Sequence, residues 1–144
     1  MADCLRLTRI WQNAQLFEMD VVCQTACIMA HQRVYTTNAK IEELENMLSA
    51  FLSEAIKEAG WRSGTKGENS TACLSFRFCR ADQQGNILAE VFLEMNDGGP
   101  LCAHHCCFCL RTEKTLLNAF LRGLKALRRP VLGTRVVLKN AGSE

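Results

Sequence analysis

The chain has 144 residues, 48% of them apolar and 22% charged, with a formal net charge of +2. This is the composition of one ordinary globular domain and excludes a disordered or fibrous protein. A chain of this length buries roughly 70% of its extended surface, so neither a disulfide nor a structural metal is required for stability. No window approaches the roughly 18 uncharged apolar residues of a membrane helix, and Met1 to Leu7 lack a basic and then apolar leader. The expectation is a cytoplasmic protein without membrane attachment. Its nine cysteines, an odd number without framework spacing, are read as mostly reduced.

Three strands come first. Leu5, Leu7 and Trp11 alternate with Arg6 and Thr8, and Phe17, Met19, Val21 and Cys23 alternate with Glu18, Asp20 and Gln24. A weaker strand follows from Ala30 to Tyr35, with breaks at 13–15 and 24–27. The period then changes to three and four residues: Ile41, Leu44, Met47, Leu48, Phe51, Leu52 and Ala55 form the stripe of an amphipathic helix. Thr36, Thr37 and Asn38 offer capping oxygens and Gly60 a left-handed terminator, so this helix is predicted over 39–59. Residues 61–71, with two glycines and no aliphatic side chain, read as a loop.

A second meander follows. Leu74, Phe76 and Phe78 form one alternating run, residues 82–86 a turn, and Ile87, Ala89, Val91 and Leu93 a second run. After a turn at 96–100 comes a cysteine-rich strand, Leu101 to Leu110. Thr112 is placed as the cap of a second helix whose apolar stripe is Leu116, Leu117, Phe120, Leu121, Leu124 and Leu127, ended by Pro130. Residues 134–138 suggest a short edge strand. The predicted fold is α+β: a single-domain, two-layer sandwich with a mainly antiparallel sheet of about six strands in the order β-β-β-α-β-β-β-α, and two helices on one face. Leu48, Phe51, Phe76, Val91, Phe120 and Leu124 are its predicted core.

The meander ending in Val34-Tyr35-Thr36, the helix pattern Ile41, Leu44, Leu48, Phe51, and the strand closing on Leu110-Arg111-Thr112-Glu113 before Leu117 and Phe120 span residues 5–127. In these core positions the chain resembles a broad group of small bacterial α+β proteins, some of them thought to be immunity proteins that neutralise toxins. The resemblance implies a binding role and transfers no functional residue.

Two features bear on chemistry. The first is the run from Leu101 to Leu110, with four cysteines and two histidines. On a strand, Cys102, His104, Cys106, Phe108 and Leu110 share one face, and Ala103, His105, Cys107 and Cys109 share the other. Ligands two residues apart can reach one zinc, and Glu90 on the preceding strand is placed opposite His105 or Cys107, which gives a zinc alternative built from Glu90, His105, Cys107 and Cys109. The competing reading makes Cys102 and Cys106 small buried apolar residues beside Phe108. Catalysis by His105 and Cys107 lacks a third group, and no cofactor is expected.

The second feature is charge. Residues 111–139 carry eight Arg or Lys against Glu113 alone, a local +7, while the first helix is acidic. Lys114, Arg122, Lys125, Arg128 and Arg129 are the candidate binding surface, with an acidic protein as the expected partner. Nucleic acid is the weaker expectation because no aromatic residue interleaves the cations for base stacking. Self-association stays open. The sequence therefore predicts a non-enzymatic binding protein of immunity type, with a metal or thiol module, or a nucleic-acid binder acting through the second helix, as alternatives.

Overall fold

A computed structural model describes residues 4–63, 73–96 and 103–141. In chain order they form β1 (Cys4–Gln12), β2 (Phe17–Gln24), β3 (Met29–Thr36), α1 (Asn38–Leu52), β4 (Glu58–Ser63), β5 (Cys73–Arg80), β6 (Asn86–Asn96), β7 (Ala103–Glu113), α2 (Lys114–Leu127) and β8 (Arg135–Lys139). The α+β sandwich is present, but its eight strands divide into two antiparallel sheets rather than one sheet of six. Their orders are β3-β2-β1-β8 and β4-β5-β6-β7.

Alternation builds both sheets. Leu5, Leu7, Met19, Val21, Val34, Val136 and Leu138 face inward from the first sheet, and Ala59, Trp61, Phe76, Phe78, Ala89, Val91 and Leu110 from the second. They join with Leu44, Leu48 and Phe51 of α1 and Leu117, Phe120 and Leu124 of α2 in a single core cluster. All six predicted core residues are at most 2% exposed. Among the described residues, β3 lies along one end of the second sheet. Ser63 Oγ donates to Thr36 Oγ1 at 2.7 Å, and Gln32 Nε2 donates to the Glu94 carbonyl at 2.9 Å.

Four details depart from the sequence reading. α1 ends at Leu52, not 59. Glu54 adopts φ +67° and the amides of Ser53, Glu54 and Ala55 fold back onto the carbonyls of Ser49, Phe51 and Ala50, so a non-glycine residue makes the left-handed turn. Gly60 instead sits inside β4, where Ala59, Trp61 and Ser63 are buried by period-two alternation. Trp61 also donates its indole N–H to the Lys40 carbonyl at 2.8 Å, so part of the expected loop is an edge strand. The rest of that loop, the 97–100 turn, and Leu101 and Cys102 lie outside the described residues.

The third departure is a register shift between Arg9 and Trp11, which reverses the parity of β1. Trp11 turns outward against Tyr35, at 6.1 Å between ring centroids, while Arg9, ahead of the shift, keeps the inward parity of Leu5 and Leu7. The fourth is at α2. Strand β7 runs through Thr112 to Glu113, which occupies the cap position without a side-chain cap bond, while the Thr112 hydroxyl is buried without a partner. The expected caps at 36–38 resolve to Thr37, which accepts from the Lys40 amide at 3.1 Å.

α2 packs against β8 and α1. The approach is tight at Gly123, where an added Cβ would come within 2.7 Å of Val136 Cγ1. That contact fixes which face of α2 is buried and, by exclusion, which face is offered to solvent.

Candidate functional site on the second helix

On a helix of 100° per residue, Lys114, Asn118, Arg122 and Lys125, at spacings of four, four and three, fall within about 80° of arc, and Arg129 follows just past the end of α2. The buried residues Leu117, Phe120, Leu121, Leu124 and Leu127 occupy the opposite side. Lys114, Arg122, Lys125 and Arg129 are exposed, and none of them has an ion-pair partner among the described residues. At 1.5 Å of rise per residue the helical part of the stripe, from Lys114 to Lys125, is about 16 Å long. No aromatic side chain interrupts it.

Arg128 does not belong to this surface. It sits at the boundary of α2 with α1, where Nε and Nη2 donate to the two carboxylate oxygens of Glu45, the second at 3.1 Å, and Nη1 lies 3.8 Å from Glu42. The hydrogen bond to Glu45 raises the Arg128 pKa above the ordinary arginine range. Glu45 is 3% exposed, so the pair is an internal tie between the helices. The acidic and basic helices of the sequence are thus neighbours, and part of their polarity is spent on each other. Glu42 and Glu43 remain exposed beside the junction, Glu43 3.5 Å from Lys40.

The cysteine-rich strand divides as its alternation predicts from Cys106 to Leu110, whereas His104, on the inward parity, is exposed. Phe108 and Leu110 are buried and Cys106 packs against the core from a half-buried position, while His105, Cys107 and Cys109 are exposed on the outer face of the second sheet. Glu90, however, pairs across from Cys109, Phe92 from Cys107, and Glu94 from His105, so Glu90 is not opposite His105 or Cys107. Glu90 lies 3.8 Å from Arg77, and the His105 ring stacks on Phe92 at 5.6 Å. Among the described residues no group of three His, Cys, Asp or Glu side chains has the arrangement to hold a metal ion.

Burial also works against activation of the Cys107 and Cys23 thiols. Burial raises the Cys107 pKa, reinforced by Cys109, Glu90 and Cys106, which keeps the thiolate scarce at neutral pH. Burial, with smaller contributions from Cys106 and Cys4, pushes the Cys23 thiol up to about 12. His31 is exposed and bonded to Asp20. A cleft of about 600 Å³ between the end of α1 and the β5–β6 turn mixes Glu54, Glu58 and Asp82 with Lys57 and Arg80. Arg80 is held by Glu54 at 3.0 Å, and Asp82 is held low by hydrogen bonds from Asn86 and the Gln84 amide.

No family model, curated protein or solved structure matches the chain. None of the helices in the described residues is long and apolar enough to cross a membrane.

Proposed function

We propose that this is a non-enzymatic binding protein that docks an acidic surface of another protein onto the α2 stripe, in the manner of a stoichiometric, immunity-type inhibitor. One observation carries the reading: four exposed cations without counter-charges among the described residues, Lys114, Arg122 and Lys125 along about 16 Å of α2 and Arg129 just past its end, sit on a helix locked in place by Gly123, Val136 and the Glu45–Arg128 tie. Such a face raises encounter rates with a complementary acidic face while requiring no reactive constellation. A protein partner is favoured over a nucleic acid for two reasons. The stripe has no ring for stacking, and the exposed Glu42 and Glu43 beside it would repel a continuous phosphate backbone.

Paired affinity capture tests this, with the wild-type chain and an Arg122→Glu/Lys125→Glu variant as baits, each with and without nuclease. A protein retained by the wild type, released by added salt and missed by the variant supports the reading. Nuclease-sensitive retention, or equal retention by both baits, contradicts it.

A further inference from the structure

We propose that the cleft between the β1–β2 turn and the start of α1 binds a phosphate group, either free or carried on a small organic molecule. The cleft has a volume of about 250 Å³, and its walls, from Arg9 and 13–17 to 37–39, contain no Asp or Glu. Arg9, which continues the inward parity of Leu5 and Leu7 ahead of the β1 register shift, is 3% exposed. Its Nε donates to Gln12 Oε1 at 2.7 Å, and its Nη1 donates to Asn38 Oδ1 at 3.1 Å and to the Leu127 carbonyl at 2.9 Å. The guanidinium lies 3.9 Å from the centroid of the Phe17 ring.

These contacts are neutral. No carboxylate pairs with Arg9 among the described residues, Nη2 donates to none of them, and Nη2 is not among the atoms sealed from solvent without a partner. A buried full charge without a counter-ion is costly unless something compensates it. The Leu127 carbonyl, at the negative end of α2, supplies only a partial charge. Burial holds the Arg9 pKa below the ordinary arginine range, and a bound anion would oppose that.

The opposite wall supplies the remaining donors. Thr37 caps α1 by accepting from Lys40, and the Ile41 amide reaches the Thr37 carbonyl. The amides of Asn38 and Ala39 have no acceptor among the described residues, and both residues line the cleft at the positive end of a 15-residue helix. Two amides without acceptors among the described residues, the helix dipole and an arginine without a counter-charge among them thus line a cleft whose described walls hold no acids. That combination suits a compact oxyanion with several acceptor oxygens, as phosphate is. The cleft also has room beside the anion for an attached organic group.

The test is a titration of the ¹⁵N-labelled full chain with inorganic phosphate, with glycerol phosphate, and with sodium chloride at matched ionic strength. Both phosphates should shift the Asn38 and Ala39 amide signals and the Arg9 Nε–H signal saturably, with a dissociation constant on the order of millimolar or tighter. Chloride should not. Equal responses assign recognition to the phosphoryl group alone, and tighter binding of the ester assigns part of the cleft to the organic portion. Asn38→Asp sets a carboxylate against Arg9 and at the helix start, so it should melt no lower than wild type while binding phosphate at least about tenfold more weakly. Ala39→Asp, at an exposed first-turn position, should likewise weaken binding on a folded background. No saturable shift in the wild type, or unchanged affinity in both folded variants, overturns the proposal.

Discussion

Replacing Arg128 by alanine strands the Glu45 carboxylate between the two helices, where it is 3% exposed and loses both of its guanidinium bonds. Breaking a buried pair from this side is expected to cost about 3 to 5 kcal/mol.

Glu45→Ala is the milder change. It leaves Arg128 about a third exposed, able to reach water and still near Glu42, for an expected loss of about 1 to 2 kcal/mol. Urea unfolding with linear extrapolation reads both losses directly. Equal losses in the two variants would refute the assignment of Arg128 as an internal tie.

Gly123→Ala gains about 1 kcal/mol of helix propensity but drives a methyl into the stiff, buried Val136 side chain, so a net loss of up to about 2 kcal/mol is expected by thermal unfolding. Val136→Ala in the same chain should make Gly123→Ala neutral or stabilising. Alkylation of the native protein at mildly alkaline pH, read by mass spectrometry, should label exposed Cys27, Cys107 and Cys109 while sparing buried Cys23 and Cys73. Elemental analysis of tag-free protein should find far less than one zinc per chain. A full equivalent lost with His105→Ala/Cys107→Ser would restore the zinc alternative.

Where one face of an element was wet and the other dry, the sequence spoke clearly. The period-two runs of β2, β5 and β6, the stripe of α2, the division of His105, Cys107 and Cys109 from Phe108 and Leu110, and the accessible stripe at Lys114, Arg122, Lys125 and Arg129 are all legible in side-chain alternation. What stayed hidden depends on backbone events that leave no such trace. The register shift after Arg9 turned Trp11 outward and left Arg9 the last buried residue of β1, and a glutamate rather than a glycine ended α1. That early end freed residues 58–63 for a strand whose buried face holds alanine, tryptophan and serine instead of aliphatic residues. Division into two sheets and the cross-strand partner of Glu90 are matters of register, which alternation alone does not determine. Arg9 did carry one signal: it continues the inward series Leu5, Leu7, and a charged residue at an inward position marks a built environment.

The most direct test of the α2 docking surface is the association rate of the captured partner across a series of ionic strengths, for the wild type and for Arg122→Glu/Lys125→Glu. The wild-type rate should fall steeply with salt. The variant should associate about tenfold more slowly at low salt, with a nearly flat salt dependence and a melting temperature matching wild type, because exposed charges contribute little to folding. A partner whose association rate ignores both the double reversal and the salt would show that the α2 stripe is a solvated helix face and that binding lies elsewhere.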